Sequence, residues 1–200
     1  MGNNRLKPIP KGFYLRDPAD VARDLLGNFL VRRIRNHLLI GKIVETEAYY
    51  GRGDPASRAF KGKTKLCELM FGEVGKAFIY MVHGNWLLNV VAHPKGEVGA
   101  VLLRALEPIK GIEIMKKFRK TSEINSLTNG PGKLTQALNI TKELNGVDLT
   151  SPSSTIFISK GGGENFEILS SHRIGVTKDL KKELRFFIKD NIFVSRKSFK

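Results

Sequence analysis

Cysteine is nearly absent: Cys67 is the only one in 200 residues. A lone thiol cannot form an internal disulfide, so the fold must rest on a packed core, and the composition suits a reducing compartment. Cys67 itself reads as a small packed hydrophobe. Long apolar runs are absent too, and none approaches the ~20 residues that a membrane-spanning helix needs. The opening Met-Gly-Asn-Asn-Arg-Leu-Lys-Pro has no apolar core of a secretory signal. The expectation is a chain that is neither secreted nor membrane-bound. Four histidines (His37, His83, His93 and His172) share no ligand spacing, which with one cysteine argues against structural zinc. Gly-x-Ser-x-Gly, Gly-x-Gly-x-x-Gly and the P-loop pattern are missing, so neither a serine-hydrolase elbow nor a nucleotide cradle of those kinds is indicated. No cofactor and no metal are expected.

Acids are scarce beside bases: 19 Asp and Glu face 34 Lys and Arg, a net charge of +15. Such an excess in a folded chain points to a polyanionic partner, usually nucleic acid. The basic residues are dispersed rather than gathered in a tail, which favours a folded binding face. An apolar share of 41% is ordinary for globular proteins and argues against disorder. The length suits one domain with a good core. No repeat or low-complexity linker interrupts it, so residues 1–200 read as a single domain, with 1–12 a loosely held arm.

The stretch Gly41–Tyr50, G-K-I-V-E-T-E-A-Y-Y, is where chemistry is expected. Its β-branched and aromatic residues predict a strand. Strand periodicity puts Ile43, Glu45, Glu47 and Tyr49 on one face. Acids are out of place in a core strand. In a strand ending at a cleft, a partly buried Glu serves as acid or base. The alternative is a strand edge with solvated acids.

Around it, Asp17-Pro18-Ala19-Asp20 starts a helix that Gly27 ends. Phe29–Ile34 and Leu38–Thr46 form a hairpin with Asn36-His37 in its turn. Gly51–Lys65 reads as a mobile basic loop, followed by a short helix from Thr64 to Met70. Ala77–Val82 and Trp86–Ala92 form a second hairpin whose turn is His83-Gly84-Asn85, with Trp86 oddly near an exposed tip. Ala100–Leu106 is a strand containing Arg104. Ile109–Lys120 is an amphipathic helix with Ile112, Met115 and Phe118 inward. A further helix starts at Thr128–Pro131, and its free N–H groups beside Gly130, Gly132 and Lys133 suit a phosphate. Short strands follow near Thr155–Ser159, Phe166–Leu169, Arg185–Ile188 and Phe193–Ser195.

An acid strand, an aromatic hairpin, a glycine-flanked helix start and strong positive charge suit an enzyme acting on a base taken out of duplex DNA. A side chain at the hairpin tip would fill the gap in the stack. Two alternatives remain: a metal-dependent nuclease using Glu45, Glu47 and Asp54, and a non-enzymatic DNA-binding module.

The chain also resembles the human-type alkyladenine (3-methyladenine) DNA glycosylases from about Phe13 to Ser195. The resemblance rests on Asp17-Pro18 through Leu26-Gly27, Gly41–Tyr49, Ile79–Asn89, Leu102–Pro108, Gly130–Leu138 and Arg173-Ile174-Gly175-Val176. It implies an α+β fold: one mixed domain with a curved antiparallel sheet, flanking helices and a protruding hairpin that enters DNA. It implies a monofunctional hydrolase of alkylated or deaminated purines (3-methyladenine, 7-methylguanine, hypoxanthine, ethenoadenine) that leaves an abasic site. By the same resemblance Glu47 activates water and Arg104 helps place it. Tyr49 and Tyr80 stack on the base, Asn89 screens purines against the amino group of guanine, and His83 stands where the hairpin's inserted tyrosine is found. Arg58 stands where a pocket histidine is usual, and it can only donate hydrogen bonds. The expected partner is double-stranded DNA carrying damaged purines. The enzyme is expected to act as a monomer, cytoplasmic and nucleoid-associated in a prokaryote or nuclear in a eukaryote.

Overall fold

The helix start at Asp17-Pro18 forms as expected. Asp17 Oδ1 accepts the Ala19 amide at 2.7 Å. Pro18 fills the first helical position, where no N–H is needed, and α1 runs Pro18–Asp24. The computed structural model, which describes residues 6–195, then enters a hairpin of β1 (Phe29–Ile34) and β2 (His37–Tyr50). His37 pairs with Ile34, so it opens the strand. The turn is made instead by Asn36 and Arg35, the latter at φ 50°.

Six more strands and two helices follow. They are β3 (Ala77–Val82), β4 (Asn85–Val91), β5 (Gly99–Lys110), α2 (Ile112–Arg119), α3 (Pro131–Ala137), β6 (Ile156–Ser159), β7 (Ile168–Ser171) and β8 (Arg185–Ile188). One curled antiparallel sheet runs β3-β4-β5-β2-β1-β6, with β8 branching from β2 and β7 beyond it. The acid strand β2 is therefore central. One edge follows β5 from Ile40 to Tyr50. The other is shared: β1 takes residues 37–42 and β8 takes Glu45, Thr46 and Glu47. Register shifts against β5 fall between Ile40 and Gly41 and, at the exchange of partners, twice between Ile43 and Thr46. Bulges there bend and twist the strand.

Ile43 and Val44 point to opposite faces, and both are fully buried. The sheet is thus covered on both sides at its middle, with Val21 and Leu25, Met115 and Leu134 from the three helical segments in the same core. Val21, Leu25 and Leu26 point inward as their spacing suggests.

Several local expectations change in the tertiary setting. Of the arm, residues 1–5 lie outside the described residues, and the rest is held. Ile9 is buried, and its amide donates to Ile158 O at 2.8 Å. The basic loop after Tyr50 is a run of tight turns, in which Asp54 Oδ2 accepts the Tyr50 amide at 2.9 Å and Ser57, Ala59 and Cys67 are buried. The helix expected over Thr64–Met70 is a single 3-10 turn, Glu68–Phe71. Phe118 lies outward, 39% exposed, because α2 turns only Met115 fully into the core. Residues 193–195 form no strand: they make a turn whose Ser195 reaches Glu45 of β2.

The second hairpin turns on His83 at φ 46° and Gly84 at φ 76°, a two-residue connection with both positions left-handed. Its tip is exposed, yet it does not stand free. Asn85 Oδ1 accepts from Gln136 Nε2 of α3 at 2.8 Å, and Thr135 donates to Trp86 O at 2.7 Å. Trp86 is half-buried by this packing. At Gly132 a Cβ would meet Asn85 Cβ at 2.8 Å, so the helix approaches the hairpin only because that side chain is missing.

Asp17 serves two elements, since Tyr50 also donates its hydroxyl to Asp17 Oδ1 at 2.8 Å. Asp17→Ala removes the cap, at a cost of about 1 kcal/mol or somewhat more. Urea unfolding is expected to show a lower midpoint with an unchanged slope; a changed slope would mean the fold itself had altered.

Candidate active site

Directly opposed residues in antiparallel strands face the same side. Asn89 of β4 opposes Leu102 of β5, Leu102 opposes Glu47 of β2, and Glu47 opposes Arg185 of β8. Arg104, two residues along from Leu102, shares that face. The sheet thus brings an amide, two arginines and a carboxylate into one layer.

Both β2 acids are completely buried. They do not end in solvent or in a half-open cleft. Glu45 Oε1 accepts Arg104 Nε at 2.8 Å, Arg185 Nε at 2.7 Å and Ser195 Oγ at 2.7 Å, and its Oε2 accepts the Ser195 amide at 2.6 Å. Burial opposes ionisation of Glu45, but the Arg104 and Arg185 guanidiniums outweigh it and hold the carboxyl below its usual range. Glu47 Oε1 lies 3.1 Å from Arg104 Nη1 and accepts the Ile174 amide at 2.7 Å. Glu47 Oε2 accepts the Tyr49 hydroxyl at 2.8 Å. Burial, then the charge of Glu47, pushes the Tyr49 hydroxyl far above its ordinary value, so Tyr49 stays a phenol and a donor. Arg104 is pulled down by burial but raised further by Glu47 and Glu45, and it remains a cation.

A cleft of about 540 Å³ opens in front of this layer, with Tyr49, Arg58, Tyr80, His83, Arg104 and Ile174 among its lining. All three residues that touch the Glu47 carboxylate line it, so the acid lies immediately behind the wall. The ring of Tyr49 is braced by Arg173, whose guanidinium carbon is 4.5 Å from the ring centre. Arg173 in turn clamps Asp54 with hydrogen bonds of 2.7 and 2.6 Å. Asp54 therefore ties the loop after β2 to the 173–176 turn, rather than joining Glu45 and Glu47 as a metal ligand. Each of these three carboxylates already holds an arginine.

Of the residues expected from sequence, Tyr49, Arg58, Tyr80, His83, Arg104 and Gly132 reach the cleft, whereas Glu47 and Asn89 lie behind it. Asn89 is buried, and its Nδ2 donates to Phe78 O at 3.0 Å. Near Gly130, Lys133 Nζ donates to Asn129 Oδ1 at 2.8 Å. Burial and the neighbouring Arg119 lower its pKa. Sequence reasoning gave no role to Arg173, Arg185, Ser195 or the Ile174 amide. Arg173 and Ile174 stand out in the sequence only through the family resemblance, and Ser195 carries no local signal.

A family model described as methylpurine-DNA glycosylase matches residues 12–192. A protein of Carboxydothermus hydrogenoformans is 47% identical over 94% of this chain and 99% of its own length. One of Koribacter versatilis is 41% identical over 98% and 96%. One of Methanoculleus marisnigri is 43% identical over 94% and 99%. All three are provisionally named 3-methyladenine DNA glycosylases.

Glu45 gives a stability test. Glu45→Gln leaves Arg104 and Arg185 buried without their shared anion, a loss of about 3–5 kcal/mol. The folded carboxyl has a lowered pKa, so its contribution is present above the unfolded value of about 4.3 and is lost as pH falls through the folded value. Unfolding followed against pH is expected to show wild-type stability declining below about pH 4.3. The variant should be less stable at neutral pH and should lack that part of the acid dependence.

Proposed function

The chain belongs to the methylpurine-DNA glycosylase family, and we propose that it flips damaged purines out of duplex DNA and hydrolyses their N-glycosidic bonds with water activated by Glu47. The observation that carries this reading is the hydrogen bonding of Glu47. A carboxylate offers about four lone-pair sites, two on each oxygen. Oε1 is filled by Arg104 and the Ile174 amide, whereas Oε2 has one donor, Tyr49. Oε2 is thus the oxygen with a lone pair left for a water, its one donor Tyr49 being a residue that lines the cleft. Arg104 holds the carboxylate charged and in position, and it helps orient that water.

DNA binds through its phosphates to the cationic surface that the net charge of +15 provides. Arg52, Lys61, Lys63 and Lys65 are exposed on the loop beside the cleft. Gly130, Gly132 and Lys133 at the start of α3 add a further phosphate contact. His83 enters the stack from the exposed hairpin tip. The extruded purine lies against Tyr49 and Tyr80, with Arg58 at the rim. Asn89, its amide fixed by Phe78, screens against the amino group of guanine. Water then adds to C1′ as the bond to the base breaks, and the carboxylate takes the water's proton. An abasic site remains in an intact strand. The enzyme is a monofunctional glycosylase, and the nearby lysines suit that. Lys42 is held by Glu107 and Glu164 at 2.9 and 2.8 Å, facing another cleft. Lys133 is engaged by Asn129.

The test is release of free purine from methylated duplex DNA in the presence of EDTA. Wild type is expected to release it, whereas a metal nuclease would fall silent and an architectural protein would release nothing. Glu47→Gln keeps the shape but removes the base, and single-turnover excision should fall about 10²–10⁴-fold. A near wild-type rate would remove Glu47 from the mechanism.

For the wedge, His83→Ala should slow excision from well-paired duplexes more than from mismatched or single-stranded sites, where unstacking costs less. Equal losses on both would place His83 outside the flipping step.

A further inference from the structure

Four arginines lie in or behind the cleft, and three are committed. Arg104 and Arg185 hold Glu45, Arg104 also holds Glu47, and Arg173 holds Asp54 and Asp179. Arg58 is different. It lines the cleft with its guanidinium carbon 4.9 Å from the centre of the Tyr80 ring. Among the described residues, no ion pair includes it. Its backbone is fixed on both sides: Ser57 and Ala59 are buried, the Ser57 amide donates to Asp54 O at 3.0 Å, and the Ala59 amide donates to Ser57 Oγ at 3.1 Å. The exposed side chain is therefore delivered to the cleft by a turn held on both sides, with the Tyr80 hydroxyl as its polar neighbour and with no carboxylate taking up its fork of donors.

We propose that Arg58 makes the cleft selective for neutral 6-oxopurines, of which hypoxanthine is the simplest, over cationic methylated purines. The proposal rests on the glycosylase reading above and deepens it. A guanidinium only donates, in a planar fork. A 6-oxopurine offers two acceptors, O6 and N7, on one edge, the pattern that arginine reads bidentately. In 3-methyladenine the O6 acceptor is replaced by an amino group, a donor set against a donor. In 7-methylguanine the N7 acceptor is capped by the methyl group. Both of those bases also carry a positive charge, which a cation at the rim repels.

The same contact answers a chemical need of the neutral base. When the C1′–N9 bond breaks, its electron pair goes to the purine. The water oxygen bonds to C1′, its proton goes to Glu47, and the purine departs as an anion that takes a proton from solvent. A guanidinium on O6 and N7 stabilises that anion without giving up a proton, because arginine stays protonated. A cationic base departs neutral and gains nothing from it.

The test compares wild type, Arg58→Met and Arg58→Lys in single-turnover excision of hypoxanthine and of 7-methylguanine from otherwise identical duplexes. Met keeps an apolar stem over Tyr80 but removes the charge. Hypoxanthine excision should fall about tenfold to a hundredfold, while 7-methylguanine excision holds or rises. Lys, with charge but no fork, should recover part of the hypoxanthine rate. Parallel losses on both bases would mean a merely structural role and overturn the proposal, as would an unchanged hypoxanthine rate. Wild type that releases 7-methylguanine but no hypoxanthine would overturn the role of Arg58 and leave the glycosylase reading standing. Release of neither would overturn both.

Discussion

Arg104 bridges two fully buried carboxylates of one strand, Glu45 and Glu47, and much of the architecture follows from satisfying that arrangement. Removing a charge from water costs several kcal/mol per ion even after relaxation. Paying that twice on one strand requires donors from every direction. β8 supplies Arg185, the 193–195 turn supplies Ser195, and the 173–176 turn supplies the Ile174 amide. Buried ion pairs of this kind are weak evidence for stability, since well-packed apolar residues often do as well or better. What the network provides is position. It holds a charged carboxylate behind a cleft, with one oxygen filled and the other short of one donor.

The cleft walls come from segments distant in the chain, and the same buried charges join them. Asp54 fixes the turn that carries Arg58, and Arg173 fixes Asp54 while bracing Tyr49. One connected set of hydrogen bonds thus sets the positions of an aromatic platform, an arginine and an acid. The hairpin carrying His83 has a separate support. It leans on α3 through Asn85, Gln136 and Trp86, with Gly132 allowing the close approach. Its tip is exposed while its base stays anchored.

Local features were legible in the residues. The cap at Asp17, the extent of β3, the turn at His83-Gly84 and the start of α3 at Gly130-Pro131 all depend on neighbours within a few positions. Legible too was the oddity of two acids in an apolar strand, Glu45 and Glu47 of β2. The expectations that changed were those in which distant chain decided the outcome. The loop after Tyr50 is tied to the 173–176 turn because Arg173 holds Asp54. Residues 6–12 are held because Ile9 pairs with Ile158. Residues 193–195 leave the sheet to serve Glu45.

By itself the sequence determined the class of element at most positions, the cationic surface, and the residue types that such chemistry requires. Only the tertiary structure decided which acid is braced by two arginines and Ser195 and which lies against the residues that line the cleft. The reason is physical: strand period, helix caps and turns are short-range properties, whereas the contacts of Glu45 lie 59, 140 and 150 residues away along the chain. No local pattern encodes a hydrogen bond across that separation. It exists because a curled sheet with a central strand brings β5, β8 and the 193–195 turn to the same buried carboxylate.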